Sequence, residues 1–203
     1  AWSLAATQLP SVAPGDSKLV YWLVGSAAAV LFFVCLLAHE LSHSVVARRH
    51  GVEVDGIVLW LFGGVSKLHD DAPDGGTELR IAVAGPAMSV VLAAVFLLLS
   101  WLLDSLGVRP VVTAGAEWLG WINGLLAGFN LLPAFPLDGG RVLRAWLWRR
   151  RDDKVSATVS AARVGRFFAY LLIWLGVLQF ATGSLLGGVW LVFLGWFLLS
   201  ASS

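Results

Sequence analysis

The sequence predicts an α-helical polytopic membrane protein with about five transmembrane helices and a short membrane-associated β-hairpin, and three observations carry that expectation. Apolar residues make up 58% of the 203 and charged residues only 13%, about half the charged share of an ordinary soluble domain. Several apolar runs are long enough to cross a bilayer, and the first, residues 19–38, holds no charged side chain. Eleven tryptophans suit a molecule bounded by two membrane–water interfaces, where indole is favoured. A net charge of +1 offers no basic excess and so no case for nucleic acid as a partner. The single cysteine, Cys35, excludes an internal disulfide and a Cys-rich zinc module.

Taken in order, residues 1–203 read as one transmembrane domain. Residues 1–18 contain two prolines, Gly15 and Asp16, and read as an apolar remnant followed by a loop. No initiator methionine and no charged segment ahead of an apolar one marks a signal peptide. The first complete span, 19–50, covers about 44 Å from Leu19 to Arg48 if helical, and Gly51 ends it as a C-cap glycine. Residues 52–68 are β-type: 57–62 are continuously apolar, Gly63-Gly64 is a hairpin signal, and 65–68 return as a second strand. A polar loop follows at 69–78. Asp70, Asp71 and Asp74 make a calcium site conceivable there, but a solvated loop is the expected reading. Gly85-Pro86 marks the start of a span over 86–103. The next stretch, 113–147, combines a span with a broken segment, and its Gly120, Gly124 and Gly128 form a small-residue face for close helix approach. Spans at 156–181 and 184–200 complete the set, joined by a tight turn.

Within the first span lies Ala38-His39-Glu40-Leu41-Ser42-His43. Residues four apart stack on one face of a helix, so His39 and His43 can reach one metal ion. Glu40, one residue on, is placed to contact a water on that ion without being a ligand, the arrangement of a zinc site with a general base. His39 lies about 13 Å inside the level of the Arg48-Arg49 pair. Ionisable side chains at such depth are costly, about 2.5–3.5 kcal/mol for a charged type at the centre. Later, Asn130-Leu131-Leu132-Pro133-Ala134-Phe135-Pro136-Leu137-Asp138-Gly139-Gly140 stops any helix at membrane depth or at its edge. Irregular backbone is tolerated there only where protein buries it or where it lines a polar cavity. Asp138 is the candidate to face that cavity; as an Asp-Gly pair it also reads as a turn.

These motifs together, with Gly63-Gly64-Val65 after a β-like segment, make the chain resemble the site-2 protease family of intramembrane zinc metalloproteases, over about residues 20–144. The resemblance implies one zinc per chain, held by His39, His43 and Asp138, with Glu40 as catalytic base and Asn130 as a substrate-positioning or transition-state-stabilising side chain. It also implies a transmembrane protein as substrate and the lipid bilayer as surroundings. An exposed strand edge pairs with extended peptide, so Ile57, Val58, Leu59, Gly63 and Gly64 are expected to bind the unwound substrate. Two departures mark the chain. A span usually precedes the first one, and residues 1–9 would be its tail. There is no room for a PDZ domain between Val65 and Glu78, which places the chain with the compact branch often followed by a CBS domain pair. Other readings stay open beside this one. The site could belong to a zinc carrier or sensor, or to a membrane zinc protease with a Glu third ligand, although Glu53 and Glu78 read as loop residues and Glu117 falls on the far side, so none is well placed. Cys35, one turn before His39, carries a thiol suited to zinc.

Orientation follows from charge. With five alternating spans, Arg48, Arg49, Lys67, Arg80, Arg141, Arg144, Arg149, Arg150, Arg151, Lys154, Arg163 and Arg166 fall on one side, and only Lys18 and Arg109 on the other. Lys/Arg excess marks the cytoplasmic side, so the metal site is expected to open there in the cell membrane. In a Cys35→Ala background, Asp71→Cys and Asp152→Cys should label from the cytoplasmic side only and Asp104→Cys from outside only. The reverse pattern overturns this orientation.

Overall fold

The computed structural model describes residues 2–60, 63–68 and 72–201. A π-helical turn, Leu4–Gln8, runs into α1 (Leu9–Val12); then come α2 (Lys18–Arg49), β1 (Val54–Trp60), β2 (Gly63–Leu68), α3 (Gly75–Ser105), α4 (Pro110–Asn130), α5 (Asp138–Arg151), α6 (Lys154–Ala181) and α7 (Leu185–Ala201). The strands pair with each other in a two-stranded sheet. Among the described residues, α2, α3 and α6 are long and apolar enough to cross a membrane, and α7 is a shorter apolar helix. Their outer surfaces confirm the solvent they are built for. Leu19, Leu23, Val30, Phe33 and Val34 of α2 are exposed, as are Phe167, Tyr170 and Trp174 of α6, an apolar display that only lipid accommodates.

The chain divides into two compact units: Ala1–Ser44 with Asp55–Lys67 and Gly85–Gly128, and Val45–Val54 with Leu68–Ala84 and Phe129–Ser203. The first has a core of Leu4, Leu9, Ala13, Tyr21, Ala28, Val111 and Leu119, with Phe32 meeting Trp118 edge-on at 6.1 Å. The amino-terminal helical segment packs directly on α2, where a side chain at Gly25 would lie 2.9 Å from the Ala5 methyl. Tyr21 secures the turn between them: its hydroxyl donates to the Ala13 carbonyl at 2.8 Å and accepts from the Asp16 amide at 3.1 Å. An ion pair between Asp16 and Arg109 closes the same end.

In the second unit, α2 ends because Gly51 adopts φ +76°. The Gly51 and Val52 amides then donate back to the Arg48 and Ala47 carbonyls, the paired bonds that satisfy a helix C-terminus. Ala47, Val52 and Ile81 form a small core there. Ala134, Leu137, Ala169 and Leu198 form another. The α5–α6 corner turns on Asp152, in a left-handed conformation at φ 52°, and on Asp153, whose carboxylate accepts from the Val155 and Ser156 amides as an N-cap. Between α3 and α5, the buried Glu78 carboxylate forms an ion pair with the partly buried Arg144. Removing one partner of such a pair costs about 3–5 kcal/mol, because it strands the other charge.

Several boundaries differ from the sequence expectation. Residues 75–78, read as loop, and 79–85, left outside any span, form the first turns of α3, and the helix runs through Pro86 instead of starting there. Asp74 explains the early start: its carboxylate accepts from the Gly76 amide at 2.7 Å, the Thr77 amide at 3.0 Å and the Thr77 hydroxyl at 2.7 Å. The Thr77 hydroxyl, and next its amide, hold the Asp74 carboxyl below the usual carboxylate range. Asp74 is therefore a helix cap, which gives the calcium reading no support at this residue; His69, Asp70 and Asp71 lie outside the described residues. Gly63 and Gly64, read as the hairpin turn, are the first residues of β2, and Leu61 and Phe62 also lie outside the described residues. The 113–147 stretch resolves into two helices, α4 starting at Pro110 and α5 starting at Asp138.

Candidate metal centre

The apolar α2 places His39 and His43 on one face, with ring centroids 5.0 Å apart and planes inclined at 75°. Their Nε2 atoms are 3.3 Å apart. Two nitrogens on one tetrahedral zinc, at about 2.0–2.1 Å each, stand about 3.3 Å from one another. Both imidazoles are buried, and so is Glu40. The approach of α3 defines the space around them. A Cβ at Gly85 would overlap the His43 Nε2 and come within 2.6 Å of the His39 Nε2, so the absent side chain leaves a cradle at the two nitrogens. One turn along α3, Ser89 is fully buried with its Oγ 2.8 Å from the His39 Nδ1.

Asp138 stands in the first turn of α5, where a helix N-terminus favours a carboxylate. The two glycines after it let the chain fold tightly here. A Cβ at Gly139 would overlap the Leu131 and Leu132 carbonyls, and one at Gly140 would lie 2.8 Å from the Ala134 carbonyl carbon. His39, His43 and Asp138 are all buried, and one donor atom from each lies within 4.8 Å of the others. Two imidazole nitrogens and a carboxylate oxygen are a donor set that suits zinc and leaves a coordination position for chemistry.

The remaining candidates are placed as follows. Asn130 is the last residue of α4. Ile57, Val58 and Leu59 belong to β1, and Gly63 and Gly64 open β2. Cys35 is buried on α2 and does not belong to the donor group. Nor do the alternative carboxylates. Glu78 is paired with Arg144, Glu117 accepts from the Trp121 indole at 3.4 Å, and Glu53 is exposed. Sequence reasoning missed Gly85 and Ser89. Their signal was present: small residues four apart in an apolar helix repeat the spacing of the two histidines.

Comparison with known proteins agrees with this geometry. A profile of peptidase family M50 matches residues 27–116 and 108–173. The Mycobacterium tuberculosis protein Rip3 is 51% identical over 201 residues, covering 99% of this chain and 51% of that protein. Zinc metalloprotease MJ0392 of Methanocaldococcus jannaschii is 38% identical over 161 residues, covering 79% of this chain and 44% of that one. The chain thus spans about half the length of the curated relatives it matches. The solved structure of a site-2 protease from Methanocaldococcus jannaschii matches with a TM-score of 0.64 at 30% identity, covering 96% of this chain and 81% of that one.

The cradle at Gly85 makes a direct prediction. Gly85→Ala should leave helix content intact, because alanine favours helix, yet displace the two imidazole ends and weaken zinc binding by about tenfold or more. Chelator competition on the purified protein measures this. Zinc affinity equal to the parent's means that a methyl fits between α3 and the imidazoles.

Proposed function

The chain belongs to peptidase family M50, and on that premise we propose that it is the catalytic membrane domain of a site-2-type intramembrane zinc metalloprotease. Its substrates are membrane-embedded proteins, cleaved near the cytoplasmic side of the cell membrane as part of regulated intramembrane proteolysis. The observation that carries this reading is the buried His39–His43 pair, 3.3 Å apart at Nε2, beside the buried carboxylate of Glu40. In the proposed arrangement five spans surround the site, and His39, His43 and Asp138 hold one zinc ion.

When bound, zinc supplies Lewis acidity towards water and a peptide carbonyl. Glu40 accepts a proton from the attacking water at its carboxylate and delivers it to the nitrogen of the leaving amine. Burial of His39, Glu40 and His43 restricts water to the reacting position, which strengthens each charge interaction there. Asn130 hydrogen-bonds the extended substrate backbone. A transmembrane helix keeps its peptide groups in internal hydrogen bonds, so cleavage requires an unwound segment whose N–H and C=O groups find new partners. The free edge of β1 provides them, through the backbone of Ile57, Val58 and Leu59, with Gly63 and Gly64 permitting close approach.

Glu40→Gln should keep full zinc content and lose cleavage of a transmembrane substrate by at least about a hundredfold, since the amide takes no proton. Turnover within about tenfold of the parent removes the general-base role, whereas zinc binding with no cleavage even by the parent favours a zinc carrier or sensor. Proline tests the strand, because it removes a backbone donor. Placed singly from Ile57 to Leu61, it should impair cleavage at alternate positions and destabilise the protein at the intervening ones. Five variants that behave alike would make the strand purely structural.

A further inference from the structure

The hydroxyl of Ser89 is a buried polar group beside the site to which catalysis assigns no task. Ser89 has no exposed surface, sits on α3, and places Oγ 2.8 Å from the Nδ1 of His39. A serine in an apolar helix commonly turns its hydroxyl back to the carbonyl four residues earlier; here its oxygen also meets an imidazole from another helix. A neutral imidazole carries one N–H and one lone pair, so the partner of Nδ1 decides what Nε2 presents.

Two arrangements compete for the histidine pair. In one, His39 carries its proton on Nε2 and donates it across the 3.3 Å gap to the lone pair of the His43 Nε2. Both metal-facing nitrogens are then consumed by each other. In the other, the His39 proton sits on Nδ1 and is donated to the Ser89 oxygen, and Nε2 turns its lone pair towards the Gly85 cradle. The hydroxyl can rotate its own hydrogen away, so it accepts without conflict.

Resting on the metalloprotease reading above, we infer that Ser89 is a positioning residue that selects the metal-ready tautomer of His39 and holds the ring in place. Its hydroxyl keeps the histidine pair from closing on itself in the metal-free protein, so zinc enters a preorganised site. Partners of this kind are worth about 10–100-fold in metal affinity. Ser89 touches neither substrate nor metal and acts through His39 alone.

The test uses the full chain in detergent micelles, with zinc affinity read by chelator competition and the His39 tautomer read by 15N NMR of the metal-free, histidine-labelled protein, assigned with His39→Asn. Ser89→Ala should bind zinc about 10–100-fold more weakly and move the His39 proton from Nδ1 to Nε2. Ser89→Thr and Ser89→Val match in volume and differ in the hydroxyl, so they separate chemistry from packing even if Ser89→Ala folds poorly. Thr should keep affinity within about threefold of the parent and retain the Nδ1 proton, while Val should behave as Ala. Thr and Val losing affinity equally, or all variants binding as the parent does, overturns the inference. Parent protein whose zinc affinity is unchanged by His39→Asn overturns the metal site itself, and this inference with it. Parent protein that binds through His39 while the Ser89 variants bind alike overturns the inference alone.

Discussion

At residue 85 the backbone of α3 comes against the ends of two imidazoles, and nothing larger than a hydrogen fits between them. This contact governs the centre. The two Nε2 atoms, 3.3 Å apart, converge on a space that a single methyl group would fill. The same approach carries Ser89, one turn on, to the opposite ring nitrogen of His39. One missing side chain thus sets both the room between the two imidazoles and the hydrogen bond behind the His39 ring. Buried donors in such surroundings have no water to fall back on, which is why the oxygen of a small serine matters there.

The start of α5 obeys a related constraint. Asp138 is held by a tightly folded segment in which Gly139 and Gly140 pass within contact of the carbonyls of residues 131, 132 and 134. The helix behind it is braced against α3 through the Glu78–Arg144 pair and through the bare backbone of Gly75, where a Cβ would lie 2.9 Å from the Ala145 carbonyl oxygen. A buried ion pair contributes little net stability against a hydrophobic alternative, but its geometry is demanding and it specifies register. The register specified here is that of the helix whose first residue is Asp138.

Such packing explains how a cluster of buried polar side chains is accommodated among apolar helices. Lipid-facing surfaces of α2 and α6 are covered by leucine, valine and aromatic side chains, while His39, Glu40 and His43 of α2 are buried. Cys35 is buried as well, yet it does not join the donor group. Its spacing from His39 made it a candidate ligand. Spacing on a helix states only which residues share a face, and the neighbouring helix decides what each of them meets.

Short-range order was legible in the sequence because it depends on short-range physics. The i,i+4 histidines, the apolar run around them, the Gly51 stop and the strand before Gly63 all follow from periodicity and backbone preference. Where two local signals competed, the reading went astray. Gly85-Pro86 looked like a helix start, yet the Asp74 cap begins α3 eleven residues earlier, and a capped helix continues through one proline when its other hydrogen bonds hold. The sequence by itself determined which residues could bind a metal and accept a proton, since those capacities belong to side-chain chemistry and helical spacing. Only the tertiary structure decided that Gly85 would make room for the imidazoles and that Ser89 would meet His39, because contacts between residues 50 positions apart are created by helix packing, which no local pattern encodes.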